Sequence, residues 1–182
     1  MNLLIRGLEL YVPTRLKRQK LKSLFEATAS AFDAEVPDLS HLTFDQCLEK
    51  YALFSRDLIE KRLQAGGDVS EAGNALYVHA FALGDELRRQ LHIENRGDVL
   101  SVGRALYRAI GIDFEGSTVG TVVIRSCFFS RFYSERVCRV ISALDIGIAA
   151  GLSGGGELTF SQRITEGKPC CEAFFDFDGE ES

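Results

Sequence analysis

Apolar side chains recur every three to four positions through residues 1–110, which is the spacing of one buried face of an α-helix. Four helices are predicted from this pattern. The second has a start signal, because Thr43 and Gln46 have the spacing of a capping box. Thr14 and Ser70 are the predicted caps of the first and third helices. The predicted helices span about 14–34, 43–66, 70–91 and 98–110.

The apolar period changes to two near Ile112, which indicates β-strands. The helical period returns over Phe129–Gly151, and a run of glycines then ends it. Four strands are predicted around this helix, at 112–115, 119–128, 157–165 and 170–177, the last two as a hairpin. The predicted fold class is α+β: a helical N-terminal half followed by β-β-α-β-β, with an antiparallel sheet covered by the long helix. We expect a single domain over 1–182, with a helical part at 1–110 and an α+β ligand-site part at 111–178.

The charge of the chain narrows the choice of partners. The 182 residues have a net charge of −5, and most of the excess negative charge follows Gly97. Nucleic-acid binding needs a surplus of Lys and Arg on one face, so nucleic acid is not an expected partner. One basic cluster, Arg15–Lys22, is compatible with RNA or anionic lipid. No aromatic residues interleave with it and acidic residues follow, which favours a solvated helix face.

No segment is typical of a leader sequence or a membrane span. Arg6 and Glu9 interrupt the apolar N-terminal stretch, and the apolar run Val140–Gly156 contains Asp145 and five glycines. Five cysteines are an odd number in a chain without a secretion signal, which indicates reduced thiols. We therefore predict a cytoplasmic protein with no membrane partner.

Candidate chemistry is concentrated on the long C-terminal helix. Cys138 and Asp145 are seven residues apart, which places them on one helix face about 10 Å from each other. Asp145 is the only charged residue between Arg139 and Glu157. A carboxylate among apolar residues needs hydrogen-bond or ion-pair partners, or else its pKa is shifted. We predict that Asp145 is partly buried and hydrogen-bonded, facing a cavity shared with Cys138 or the hairpin. The alternative is a stripe that faces water or another helix.

The predicted hairpin supplies a second candidate pair. With Gly167 in the middle of the turn, Arg163 lies opposite Cys171, and a guanidinium beside a thiol favours the reactive thiolate. The alternative is that the cysteines are small apolar residues of the core. No metal site and no cofactor are predicted, because no Cys-x-x-Cys pair occurs and all histidines lie in the helical half. Of these, His79 is interpreted as a core histidine.

The C-terminal region resembles the L-2-amino-thiazoline-4-carboxylic acid hydrolase family over Cys127–Phe177. The resemblance rests on a Cys (Cys138), a helix Asp seven residues later (Asp145), and a Gly-x-x-x-Cys hairpin (Gly167 to Cys171). The residues between them that also match are Ala149, Gly151, Leu152, Leu158, Phe160, Arg163 and Thr165. It implies hydrolytic opening of a cyclic C–N/C–S substrate that has a carboxylate. The implied catalytic residues are Cys138, Asp145 and Cys171. The implied substrate-binding residues are Arg163, Arg125 and Cys127.

The same β-β-α-β-β ending, with Gly-x-Pro-x-Cys in the last turn, is also similar to the 4-vinyl-reductase domain family. That resemblance implies a non-catalytic binding module for a small hydrophobic ligand. Such a module needs only an apolar cavity, and six phenylalanines of the C-terminal half could line it: Phe128, Phe129, Phe132, Phe160, Phe174 and Phe175. The same aromatic residues could equally be buried in a homodimer. The predicted partner is a small molecule, with a homodimer as an open possibility.

Overall fold

The computed structural model describes residues 3–177, without the side chains at positions 3, 4 and 9. Five helices precede the sheet: α1 (Leu3–Leu10), α2 (Thr14–Ala31), α3 (Phe44–Gln64), α4 (Val69–Leu91) and α5 (Arg96–Ala109). The C-terminal region contains β1 (Ile112–Gly116), β2 (Thr121–Cys127), α6 (Glu135–Ser153), β3 (Glu157–Gln162) and β4 (Cys171–Asp176). Short 3₁₀ helices occur at Phe128–Arg131 and Ile164–Glu166. The predicted fold class is confirmed, with a helical N-terminal half and a long helix on an antiparallel sheet.

Local hydrogen bonds explain where the helices begin. The capping box before α3 is present, since the Thr43 backbone N–H donates to Gln46 Oε1 at 2.8 Å and the Gln46 N–H donates to Thr43 Oγ1 at 3.3 Å. The prediction that Ser70 caps α4 is wrong, because Asp68 accepts the Ser70 N–H instead. The prediction for Thr14 is also wrong. Pro13 precedes α2, and Thr14 is already helical.

Helix α1 has no counterpart among the predicted elements. It contains only eight residues, which is too few for a three-to-four period to be recognised. It packs against α5, and its Ile5 side chain is completely buried. Tertiary contact therefore accounts for this helix better than local sequence preference does.

The strands form one antiparallel sheet in the order β1-β2-β4-β3. Strand β4 is central and alternates strictly: Cys171, Ala173 and Phe175 are buried, whereas Glu172 and Phe174 are exposed. One face of the sheet therefore contributes to the core and the other faces outward. The register is fixed by pairs such as Ile124 with Cys171.

Helix α6 lies between the sheet and helix α4, although the sequence predicted only its contact with the sheet. Glycines allow the close approach of the two helices. A Cβ atom at Gly147 would lie 2.6 Å from the Tyr77 carbonyl oxygen and 2.7 Å from the Ala80 Cβ. Gly84 and Gly151 meet at the same crossing, where an added Cβ would also collide with backbone. Glycine was interpreted as a helix terminator or a turn residue, so this packing surface was missed.

Buried apolar side chains form two clusters on the inner side of the sheet. The first contains Tyr51, Phe129, Tyr133, Leu144 and Cys171, and the second contains Leu87, Leu100, Val122, Leu152, Leu158 and Phe175. Helix α6 contributes to both. Within residues 3–177, no helix has the length and apolar character needed to cross a membrane.

Candidate functional site

A cavity of about 410 Å³ extends across the two clusters. Helix α6 lines it with one stripe at helical spacing: Cys138, Ile141, Ser142, Leu144, Asp145, Ile148, Ala149 and Leu152. From Cys138 to Leu152 this stripe is roughly 21 Å long, at about 1.5 Å per residue. Helices α1 to α5, the 3₁₀ helix Phe128–Arg131 and the inner face of the sheet also line it. The cavity is therefore elongated along α6.

The two ends of the cavity differ in chemistry. The Asp145 end contains Tyr107, Cys127, Cys138, Asp145 and Cys171, and the Leu152 end contains Leu87, Leu100, Val122, Leu152, Leu158 and Phe175. Polar groups converge at the first end, because the charge of Asp145 acts on all four of its companions there. The side chains named for the second end are all apolar, whereas Lys17, Lys20, Glu86 and Gln90 line the cavity from α2 and α4. A molecule along the cavity would thus meet a buried carboxylate at the Asp145 end and apolar side chains at the Leu152 end.

Asp145 is hydrogen-bonded and faces this cavity, as the sequence predicted. Its Oδ1 accepts a bond of 2.7 Å from the hydroxyl of Tyr107 on α5. Stacking on Phe114 fixes the Tyr107 ring, with 4.9 Å between centroids and 3° between planes. Burial raises the pKa of Asp145 to about 6, although the Tyr107 hydrogen bond and the charge of Arg163 act in the opposite direction. The carboxylate is therefore mostly ionised at neutral pH and is costly in this environment.

The second carboxylate oxygen of Asp145 lacks a hydrogen-bond partner among the described residues. Asp145 is half-buried and lines the cavity. No described Lys, Arg or His side chain forms an ion pair with this carboxylate. Asp145 thus presents an unpaired oxygen to whatever fills the cavity.

The three thiols at the Asp145 end are not activated. Burial raises the pKa of Cys127 to about 12, against hydrogen bonds from the backbone at Phe129 and Ser130. Burial likewise raises the pKa of Cys138 and of Cys171. Arg163 lowers both of these values only in part, so the thiolate expected from the Arg163–Cys171 pair is outweighed by desolvation. All three sulfurs are neutral thiols at pH 7.

Arg163 lies next to the site and does not line the cavity. Strand β3 ends at Gln162, which pairs with Glu172 after a bulge, so Arg163 follows the paired segment. Its Nε donates to Ser142 Oγ at 3.3 Å, and its Nη1 lies 3.6 Å from Glu166 Oε1. These contacts fasten the turn after β3 to helix α6. Arg163 consequently supplies positive potential to the site from outside the cavity.

Arg125 lies on the opposite face of the sheet from the cavity. Its guanidinium pairs with Glu115 at 2.7 Å, and more than half of its side chain is exposed. The period of two in β2 explains this position, since Val122 and Ile124 point inward and Arg125 therefore points outward. The structure brings Cys127, Cys138, Asp145 and Cys171 together, and it separates Arg125 from them.

Tyr107 is the site residue that the sequence analysis missed. It precedes Asp145 by 38 positions and belongs to the helical half, so only tertiary packing joins the two. A tyrosine on the apolar face of α5 was the available signal, because a buried tyrosine hydroxyl usually has a hydrogen-bond partner. Tyr51 and Tyr133 also line the cavity, and their hydroxyls bond away from it, to Thr28 at 3.0 Å and Ser55 at 2.7 Å.

Within the part of the chain that the structure describes, no three His, Cys, Asp or Glu side chains are grouped to hold a metal ion. All five cysteines have free thiols. Comparisons with protein-family models, with curated proteins and with solved structures find no match to this chain. The cavity and its lining are thus the features from which a function can be argued.

Proposed function

We propose that this protein binds a small, largely hydrophobic molecule in the cavity along α6. The cavity itself supports this most directly, because protein interiors are normally close-packed and leave few voids larger than a water molecule. A volume of about 410 Å³ falls within the range of small-molecule sites. Its mostly apolar lining with a few convergent polar groups is also typical of such sites.

The protonation and hydrogen bonding of the polar groups favour ligand binding over catalysis. The thiols are protonated at neutral pH, and Arg163 is already engaged by Ser142 and Glu166. A nucleophile would need a lowered pKa or an adjacent base, and a carboxylate clamp would need a free guanidinium. Orientation of a bound ligand requires neither of these.

Filling the cavity tests this proposal. Ala149→Phe adds a ring to the α6 stripe, and Ala82→Phe makes the same change at an exposed position of α4. We expect 1-decanol to raise the melting temperature of the wild-type protein and of Ala82→Phe, because a ligand at about 100 times its Kd stabilises the folded state by about 2.7 kcal/mol. Ala149→Phe should lose this response. An equal response in all three proteins would refute binding in this cavity.

Hydrolysis of a cyclic C–N/C–S substrate is the second candidate. Asp145 favours it, because a carboxylate with a pKa of about 6 can accept and return a proton near neutral pH. In that mechanism Asp145 would be the acid/base, with Cys138 or Cys171 as the nucleophile. The assay follows turnover of a 2-amino-thiazoline carboxylate by the wild type, Asp145→Asn, Cys138→Ala and Cys171→Ala. Wild-type protein that binds this compound and never converts it would exclude the hydrolase.

A further inference from the structure

At the Asp145 end of the cavity, the carboxylate forms no ion pair with a described residue. Oδ1 of Asp145 receives one hydrogen bond from the Tyr107 hydroxyl, and no described residue donates a hydrogen bond to Oδ2 of this cavity-lining residue. A buried charge normally requires a counter-charge or several hydrogen bonds. The guanidinium whose charge acts on Asp145, that of Arg163, is held by Ser142 and Glu166. A cation arriving from the cavity would supply the missing partner.

The surroundings of Asp145 suit an ammonium group in particular. Four aromatic residues line this part of the cavity: Tyr107, which bonds to Asp145, Tyr51, on which the Asp145 charge acts, and Phe129 and Tyr133, which pack next to Tyr51. The hydroxyls of Tyr51 and Tyr133 are hydrogen-bonded to Thr28 and Ser55, so these residues offer a ligand head chiefly their ring faces. Aromatic faces attract ammonium ions through their quadrupole, and this attraction strengthens where water is excluded. Neutral thiol sulfurs add weak acceptors and no competing positive charge.

We propose that the ligand is an amphipathic amine, with its ammonium group on Asp145 and its apolar tail along α6 toward the Leu152 end. This inference rests on the proposed function and specifies the ligand class for the same cavity. The ammonium donates one hydrogen to Asp145 Oδ2 and a second to the Tyr107 oxygen, whose own hydrogen is given to Oδ1. The tail then contacts the apolar side chains of α5, α6 and the sheet.

A fatty acid is the opposing possibility for an elongated apolar cavity. Its carboxylate would repel Asp145, so it would have to bind in reverse, near Lys17 and Lys20 on the α2 side of the lining. Glu86 on α4 also lines that side and partly offsets the two lysines. The amine is favoured because its charge is complementary at the more buried end. The head group therefore decides between the two orientations.

The experiment compares three probes with the same tail, decylamine, 1-decanol and decanoate, by isothermal titration calorimetry near neutral pH. The full-length wild type should bind decylamine most tightly. Asp145→Asn keeps an acceptor for the Tyr107 hydroxyl and removes the charge, so it should bind decylamine roughly 10-fold to 100-fold more weakly. Its affinity for 1-decanol should change little. Asp113→Asn, the same substitution at an exposed position of β1, should match the wild type with every probe.

Changing the pH separates a charge effect from an effect on cavity shape. Decylamine stays protonated from neutral pH to about pH 5, whereas Asp145 becomes protonated below its pKa of about 6. Decylamine affinity of the wild type should therefore fall on acidification, by at most about tenfold per pH unit, and that of Asp145→Asn should not. The hydroxyl and thiol groups whose pKa is coupled to Asp145 do not interfere, because Tyr51, Tyr107 and the thiols of Cys127, Cys138 and Cys171 have raised pKa values; the Arg163 guanidinium also faces Asp145.

The possible outcomes are distinguishable. Equal binding of decylamine and 1-decanol, with no effect of Asp145→Asn, would overturn the amine specificity and leave the cavity as a hydrophobic binding site. Tightest binding of decanoate would overturn it in favour of the reversed orientation. No binding of any probe would overturn both this inference and the proposed function.

Discussion

Asp145 should reduce the stability of the folded protein at neutral pH, and Asp145→Asn should restore it. Burial raises the pKa of this carboxyl from 3.8 to about 6, so the folded state disfavours the charged form more than the unfolded chain does. Between about pH 4 and pH 6 the folded protein binds more protons than the unfolded chain. The contribution of this group to stability therefore falls as the pH rises through that window, and its full cost is present above about pH 6.

The size of the effect follows from the same shift. The pKa of Asp145 in the folded protein and its ordinary value differ by about two units, and one unit corresponds to about 1.4 kcal/mol. Ionised Asp145 therefore destabilises the folded state by up to about 3 kcal/mol. Asn is nearly isosteric, and its Oδ1 can still accept the Tyr107 hydroxyl. Asp145→Asn should consequently stabilise the protein by about 1–3 kcal/mol at neutral pH.

Urea denaturation of both proteins at several pH values measures this difference. The gain from Asp145→Asn should be largest above pH 6 and should shrink toward zero near pH 4. Other carboxyls act in the opposite direction, because hydrogen bonds and ion pairs hold the pKa of Asp85 below its ordinary value. They contribute equally to both proteins and cancel in the comparison. A variant that is less stable than the wild type at neutral pH, or a gain that does not depend on pH, would refute the reasoning.

Two further predictions concern the packing around α6 and its thiols. Gly84→Ala should destabilise the protein by about 1–3 kcal/mol in urea denaturation, because its Cβ would collide with the backbone of α6. The control is Gly73→Ala on the same helix, where an added Cβ would contact only the Ala143 Cβ at 3.7 Å. This variant should be neutral or stabilised by up to about 1 kcal/mol. Equal losses of stability in the two variants would contradict the close contact of α4 with α6 at Gly84. Cys127, with its pKa raised to about 12, should resist alkylation in the folded protein and react on unfolding. Mass spectrometry that found Cys127 modified as fast in folded as in unfolded protein would contradict its burial.

The sequence predicted the order of the C-terminal elements because each has a clear period and a clear break. The change near Ile112 separates helix from strand, and Gly154 ends α6 in a left-handed conformation with φ of 87°. The boundaries of β3 were less predictable. The bulge between Phe160 and Gln162 and the short helix at Ile164–Glu166 end the strand earlier than alternation indicated.

The candidate site was predictable only in part, for a physical reason. An isolated charge in an apolar helix is visible in sequence, which is why Asp145 was recognised. Its partner Tyr107 was not, because contact between distant segments depends on how helices pack. A period of two predicts one face for both Arg125 and Cys127, and a register shift between β1 and β2 at Arg125 separates them. This separation, like the burial of the thiols beside Arg163, required the folded structure. Local pattern thus identifies the charged group, and tertiary packing determines its environment.

The two faces of α6 explain how a cavity of this size can coexist with a stable helix. On one face, Gly147 and Gly151 bring the backbone against α4, so many dispersion contacts form over a short distance. The opposite face, from Cys138 to Leu152, then needs no tight partner to hold the helix in place. A void and an ionised Asp145 both cost free energy there. A ligand that fills the void and pairs with the carboxylate would recover both costs at once, which is the physical basis for expecting a molecule with an apolar tail and a cationic head.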